Sequence, residues 1–311
     1  MKRQQDTGPT DRGRRGVLTR WAIAAALALF VACAAAPFAR AAEDKIPVVA
    51  AENFYGDLAR QIGGERVSVI SILSNPQQDP HLFETSPSVL RALAGAQIVI
   101  YNGVGYDAWM DNLLKVTPKS GRTVITVAGL VGAKPGDNPH LWYDPKTMPA
   151  LAAALTAKLS AIDPAHASGY AERSRIFLAS LKPLNDKIAM LRQSYAGVPV
   201  TATEPVFGYM AAALHLQMLN QDFQLAVMNN TEPSAADLAK FEQSLTAHRV
   251  RVLLYNKQAS DNLVRRLVGL ARTAKVPVVG VTETCPPGQT YRDWMLDELD
   301  RTEAALGGPA S

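Results

Sequence analysis

From Ile46 onward the chain alternates short apolar runs with stretches whose apolar residues recur at helical spacing. Runs 46–51, 67–73, 97–101 and 123–127 are rich in Val and Ile and read as strands. Stretches 54–62, 86–95 and 106–114 read as helices; Gly63-Gly64 stops the first and Ser86 caps the second. Between 146 and 195 no strand is legible. An Ala/Leu-rich helix is predicted over 148–162, punctuated by Asp163-Pro164. A second helical pattern follows through Tyr170, Phe177, Leu181, Leu184, Ile188 and Leu191, and Pro183 inside it predicts a kink or a split. The alternation then returns. Strands are predicted at 198–202, 223–228, 250–255 and 276–281, and helices at 206–214, 234–248, 260–274 and 291–306.

This order implies an α/β protein of two lobes, each a parallel-type sheet covered by helices, joined by a long helical strut. The corresponding divisions are 1–41, 42–147 for the first lobe, 148–196 for the helical connection and 197–311 for the second lobe. The mature chain shows no short-period repeat, no low-complexity tract and no His-rich loop.

Residues 1–41 change the picture of charge and location. A basic stretch ends at Arg20, an apolar run follows from Trp21 to Ala36, and Ala39-Arg40-Ala41 is a small-x-small cleavage site. The run is short for a membrane span, so it reads as a secretory signal peptide with the mature chain starting near Ala42. Arg14-Arg15 offers a loose twin-arginine pattern, and Phe30-Val31-Ala32-Cys33 a poor lipidation motif. The chain carries +4 overall, but 1–41 holds seven of the 32 Lys and Arg and two of the 28 Asp and Glu. The remainder has 25 basic and 26 acidic residues, with no basic excess to suggest nucleic acid. Of the two cysteines, Cys33 leaves with the leader; Cys285 alone remains, and no internal disulfide can form.

Two of the five histidines stand in near-duplicate settings, Asp79-Pro80-His81-Leu82-Phe83-Glu84 and Asn138-Pro139-His140-Leu141-Trp142-Tyr143-Asp144. Proline restricts itself and its predecessor, so each imidazole sits on a stiff corner. Both corners follow predicted strands of the first lobe, where open α/β sheets bind ligands. The same rule applied to the second lobe finds Glu204 after the strand at 198–202 and Glu283 after the strand at 276–281. His81, His140, Glu204 and Glu283 would make a four-ligand nitrogen–oxygen metal site between the lobes. Each has a blander alternative. The histidines could be surface turns, Glu204 a first-turn carboxylate of the helix at Pro205, and Glu283 a loop carboxylate bonded to backbone amides. Cys285, two residues beyond Glu283, could reach the same site or be a small buried residue. Glu232-Pro233-Ser234 reads as helix capping. His166 is expected exposed in a first turn, His215 packed or hydrogen-bonded, and His248 in a helix's last turn; none is given a role.

Catalytic signatures are missing. Asn102-Gly103-Val104-Gly105 lacks the rest of a dinucleotide fingerprint, and no phosphate loop, Gly-x-Ser-x-Gly elbow or His-Glu-x-x-His occurs. A hydrolytic zinc site needs an open coordination position and a base, for which four protein ligands leave little room.

Over nearly all its mature length the chain resembles the metal-binding extracytoplasmic solute receptors of zinc, manganese and iron ABC importers. The resemblance rests on Asp79-Pro80-His81 with Glu84 and Pro87, on Asn138-Pro139-His140-Leu141-Trp142, on Glu204 before Phe207-Gly208-Tyr209, and on Val278 to Glu283. It implies two α/β lobes joined by one long stiff helix, with a divalent metal buried between them. His81 and His140 match two histidine ligand positions, and Glu204 a third that is His or Glu in such receptors. Glu283 stands where Asp is usual. The function implied is capture of Zn²⁺ or Mn²⁺, with Fe²⁺ as a further possibility, and delivery to a membrane permease; the receptor is expected to be a periplasmic monomer and no enzyme. The rival expectations are a secreted metal-dependent hydrolase and a metal-binding or metal-independent adhesin-like surface protein.

Overall fold

A computed structural model describes residues 45–75, 83–229, 231–259 and 262–307, with Met1 and Gln5. The rest of residues 1–41, Cys33 among them, and His81 lie outside the described residues. The chain divides into residues 1–44 and 45–311, and the described strands and helices all belong to the second unit.

Four strands, β1 (Ile46–Glu52), β2 (Val67–Leu73), β3 (Ile98–Tyr101) and β4 (Thr123–Thr126), form one all-parallel sheet in the order β2-β1-β3-β4. Between them run helices α1 (Asn53–Gly63), α2 (Pro87–Gly95) and α3 (Trp109–Val116). Helix α1 turns Phe54, Tyr55, Leu58, Ala59 and Ile62 onto the sheet, and Gly64 closes it at φ +58°. It lies so close to β2 that a Cβ at Gly56 would fall 2.1 Å from Ser71 Oγ. Ser86 caps α2 by accepting from Val89 N, as its position predicted. A short helix α4 (Val127–Val131) follows β4.

The helical connection comprises α5 (Thr147–Ile162), α6 (Ala167–Ser180) and α7 (Lys182–Tyr195). The break at Leu181 sits where Pro183 enters the first turn of α7, the split that proline predicted.

The second sheet is again all parallel. Strands β5 (Pro199–Ala202), β6 (Gln217–Leu219), β7 (Leu253–Asn256) and β8 (Val278–Val281) lie in the order β6-β5-β7-β8. Its helices are α8 (Gly208–Ala213), α9 (Gln221–Met228), α10 (Ala235–Thr246), α11 (Asn262–Thr273) and α12 (Tyr291–Gly307). One expected strand is corrected here: 223–228 is helical, and the fourth strand is Gln217–Leu219. A strand would put Phe223 and Leu225 on one face, yet Phe223 is fully buried and Leu225 is 42 % exposed. Buried Phe223 and Gln224 follow a turn at Asn220, whose φ is +58°.

In both sheets the chain lays down one pair of strands and then reverses direction across the sheet, between β1 and β3 and between β5 and β7. Carboxyl ends at such reversals are where parallel sheets form ligand crevices. One continuous apolar core joins the lobes, with Trp142, Phe54, Trp294, Tyr143 and Phe207 linked in that order by ring contacts.

Candidate metal centre

The carboxyl ends of the second sheet place the acidic side chains. Strand β5 leads through Thr203 to Glu204, β8 leads through Thr282 to Glu283, and β7, between them, ends on Asn256. From the first lobe His140 enters just before a short 3-10 turn, Leu141–Tyr143. His140, Glu204, Asn256 and Glu283 are all buried.

The ring of His140 is fixed by Asn138. Asn138 Nδ2 donates to Pro205 O at 2.7 Å, so its Oδ1 faces the other way. There it accepts from His140 N at 3.1 Å and meets His140 Nδ1 at 2.6 Å. Flipping the amide would set donor against donor at His140 N and oxygen against oxygen at Pro205, so the network assigns it. Nδ1 therefore carries a proton, and Nε2 is the ring nitrogen turned into the site. Among the described residues Nε2 has no hydrogen-bond partner; Glu283 Oε2 lies 3.5 Å away, beyond hydrogen-bond range. When Nε2 is unprotonated, its lone pair and a carboxylate oxygen face each other in a buried space, a pairing that fits a cation. Trp142 and Tyr106 wall the imidazole with ring edges, and the Tyr106 hydroxyl lies beside the Glu283 carboxylate.

Glu204 occupies the capping position of the turn Pro205–Phe207 but makes no capping bond. Its Oε2 accepts instead from Asn256 Nδ2 at 3.1 Å. Glu283 Oε1 accepts from the same nitrogen at 2.5 Å. Gln258 supports this pair: its N donates to Asn256 Oδ1 at 2.9 Å and its Oε1 accepts from Glu283 N at 2.6 Å. Asn138, Asn256 and Gln258 were not singled out from the sequence. Asn256 was within reach of the strand-end rule that found the two glutamates, and Asn138 stands inside the His140 motif itself.

The structure brings His140 and Glu283 into contact and sets Glu204 one amide away. Among the described residues no group of three His, Cys, Asp or Glu side chains closes on one point. Cys285 is turned elsewhere. Its Sγ lies 3.4 Å from Gln289 O, its backbone pairs with the Asn53 side chain, and burial pushes the thiol up to about 12. Ser234 caps α10 as expected, accepting from Asp237 N. The other histidines need three corrections. His166 is half-buried, with its Nδ1 2.8 Å from Asp163. His215 is exposed at φ +56° beyond α8, because the chain must turn there into β6. His248 follows α10 at φ +49°, outside the helix.

Beneath the first-lobe loops Asn102 accepts from Tyr55 OH and donates to Pro139 O at 2.8 Å, tying the His140 corner to the end of β3. Asp107 accepts from the backbone of Asn102 and Gly103, yet burial lifts it to about 6. Burial, and then the nearby Asp107, raises Glu52 well above the usual carboxylate range.

Two parallel-sheet lobes with ligand-type side chains meeting at their strand ends are the architecture of a two-lobed binding protein. The chain belongs to the family described as zinc-uptake complex component A periplasmic (ZnuA), whose profile matches residues 48–305. It is 24 % identical over 288 residues to the metal ABC transporter substrate-binding lipoprotein SloC of Streptococcus mutans serotype c, covering 86 % of this chain and 92 % of the relative. Among solved structures it superposes on the periplasmic zinc binding protein TroA from Treponema pallidum with a TM-score of 0.73 at 19 % identity, covering 85 % of this chain and 100 % of that one. A manganese-bound mutant of the periplasmic metal binding protein from Candidatus Liberibacter asiaticus gives 0.68 at 18 % identity, with the same coverage. At these identities the superpositions establish the fold. No described helix is long and apolar enough to cross a membrane.

Proposed function

We propose that this protein captures a divalent transition metal between its lobes and delivers it to the permease of an ABC importer. The cargo is Zn²⁺ or Mn²⁺, with Fe²⁺ as a third candidate. His81, His140, Glu204 and Glu283 are the proposed ligands. The observation that carries the reading is Nε2 of His140 turned toward a carboxylate oxygen of Glu283 at 3.5 Å, with Nδ1 held by Asn138. A cation there relieves the repulsion between two acceptors and between two buried carboxylates. Two imidazoles and two carboxylates suit all three metals, and intrinsic affinity ranks Zn²⁺ above Mn²⁺. The ion would tie the lobes together, and the permease would distinguish the loaded form by that difference.

In this reading the protein is a receptor and no enzyme, and it works as a periplasmic monomer. The divisions of the chain are a leader over 1–41, lobes over 42–147 and 197–311, and a helical connection over 148–196. The names of the relatives lend a hydrolase no support.

The test is a titration of the metal-stripped mature protein with Zn²⁺ and Mn²⁺ in competition. Bound metal is counted by elemental analysis and melting is followed in parallel. One tightly held ion per chain with a raised melting temperature is expected, since an ion that binds only the folded chain stabilises it. His140→Ala should lose tight binding and keep the metal-free melting temperature within a few degrees. Stoichiometric binding that survives His140→Ala unchanged would sink the assignment.

A further inference from the structure

Asn256 ends the strand that lies between the two strands delivering the glutamates. Its side chain is buried, and its single amide nitrogen reaches both carboxylates: Glu204 Oε2 at 3.1 Å and Glu283 Oε1 at 2.5 Å. An amide nitrogen carries two hydrogens, one for each acceptor. The orientation is locked from behind, because Asn256 Oδ1 accepts from Gln258 N at 2.9 Å. Asn256 N in turn points to Thr203 Oγ1 at 3.4 Å, which holds the strand end against the neighbouring one. The amide is neutral. A lysine or arginine here would draw the glutamates together as well, but its charge would oppose any cation.

The consequence concerns how many oxygens each glutamate can offer. Glu283 has one oxygen committed to Asn256 and the other facing His140 Nε2 at 3.5 Å. A cation bound at His140 therefore meets Glu283 through one oxygen. To recruit the second, it must share or displace a short buried hydrogen bond to a charged acceptor, the stronger kind of hydrogen bond. Glu204 is held in the same way through Oε2. Zn²⁺ is satisfied by four tetrahedral nitrogen and oxygen ligands, whereas Mn²⁺ favours octahedral, oxygen-rich coordination. Withholding one oxygen from each carboxylate penalises Mn²⁺ more.

We propose that Asn256 is a specificity-determining positioning residue: it holds both glutamates to one oxygen each and biases the site toward Zn²⁺ over Mn²⁺. This rests on the receptor reading and adds the residue that ranks the metals.

The experiment uses the full mature chain, stripped of metal. Wild type, Asn256→Ala and Asn256→Ser are titrated with Zn²⁺ and Mn²⁺ in competition, and X-ray absorption counts the ligands in each loaded form. In Asn256→Ala the Zn²⁺-to-Mn²⁺ affinity ratio is expected to fall about tenfold or more, the size typical for residues that orient metal ligands. The oxygen count around Mn²⁺ should rise with it. Asn256→Ser keeps one donor and should give an intermediate ratio. It also serves as the deciding variant if metal-free melting shows that Asn256→Ala does not fold. A ratio that is unchanged, or affinities for both ions that fall by the same factor with the ligand count constant, would overturn the proposal and leave the receptor reading standing. If wild type binds neither ion stoichiometrically, the receptor reading fails first and this one with it.

Discussion

Asn138 decides which nitrogen of His140 is turned toward Glu283, and it does so while anchored to the opposite lobe. Its Nδ2 is held on Pro205 O, its carbonyl oxygen accepts from Tyr209 OH at 2.9 Å, and its Oδ1 holds the proton of His140 Nδ1. A ligating imidazole depends on such a partner for its tautomer and direction, and losing one costs about 10–100-fold in metal affinity. Asn138→Ala should therefore weaken metal binding by about that factor in a competition titration. The loss of its side-chain hydrogen bonds to Pro205 O and to the buried His140 N and Nδ1 should lower folding stability by roughly 1–3 kcal/mol for each group left unpaired. Unchanged affinity in this variant would mean that the ring is held by Trp142 and Tyr106 packing alone.

At the scale of elements, the same contact explains why α8 begins with glycine. A Cβ on Gly208 would stand 2.8 Å from Asn138 Nδ2, nearer than real side chains come. Gly208→Ala must push Asn138 aside, with an overpacking penalty of about 1–3 kcal/mol and a fall in metal affinity like that of Asn138→Ala. In the Asn138→Ala background the clash is gone, so the double variant should bind metal no worse than Asn138→Ala alone. Strictly additive losses would refute the link. This scale also shows what the sequence makes legible. Strand β3 announces itself by continuous Ile and Val, and β1 by the apolar run from Val48 to Ala51, because both their faces are covered. Glu204 and Glu283 stand buried beyond the ends of β5 and β8, where the strand-end rule expects them. Strand β6 has three residues, with Gln217 exposed, and leaves no pattern to read. Helix α9 reads as a strand in the sequence because alternating Phe223, Leu225 and Val227 imitate one over so short a length. Asn138 and Asn256 stayed hidden for a different reason. An amide acts through the partners it meets in space, and neither composition nor spacing reveals those partners.

Across the whole molecule, the lobes are fastened by polar bonds that run through the shared core. Asn53 pairs with both backbone groups of Cys285, Tyr291 N donates to Asp57, and Tyr291 OH donates to Trp142 O. The most buried of these fasteners is titratable. Tyr143, three residues after His140, lies 2.7 Å from Thr282 O and 2.6 Å from Glu298 Oε2. A hydroxyl has one hydrogen to donate. If it goes to Thr282 O, Glu298 must carry the proton of the second bond, and burial does raise Glu298 from 4.5 to about 7. Glu298 Oε1 meanwhile accepts from Thr282 N and Trp294 Nε1, so this one carboxyl supports the strand end that presents Glu283. The folded chain then binds more protons than the unfolded chain between about pH 4.5 and 7. Stability from this group is complete below that window, declines as pH rises through it and levels off above it. At about 1.4 kcal/mol per pH unit the decline is on the order of 3 kcal/mol. Asp107, lifted to about 6, and Glu52, raised well above the usual carboxylate range by burial, add to it in the same direction. Denaturant unfolding of the metal-stripped protein should therefore show stability falling from pH 4.5 to pH 7, and Glu298→Gln should remove the Glu298 share of that slope while leaving the part due to Asp107 and Glu52. Stripping matters, because metal binding carries an opposite dependence: its ligands must lose protons first. A Glu298→Gln slope equal to wild type would show that Glu298 is already ionised in the folded chain and that Tyr143 gives its hydrogen to the carboxylate instead.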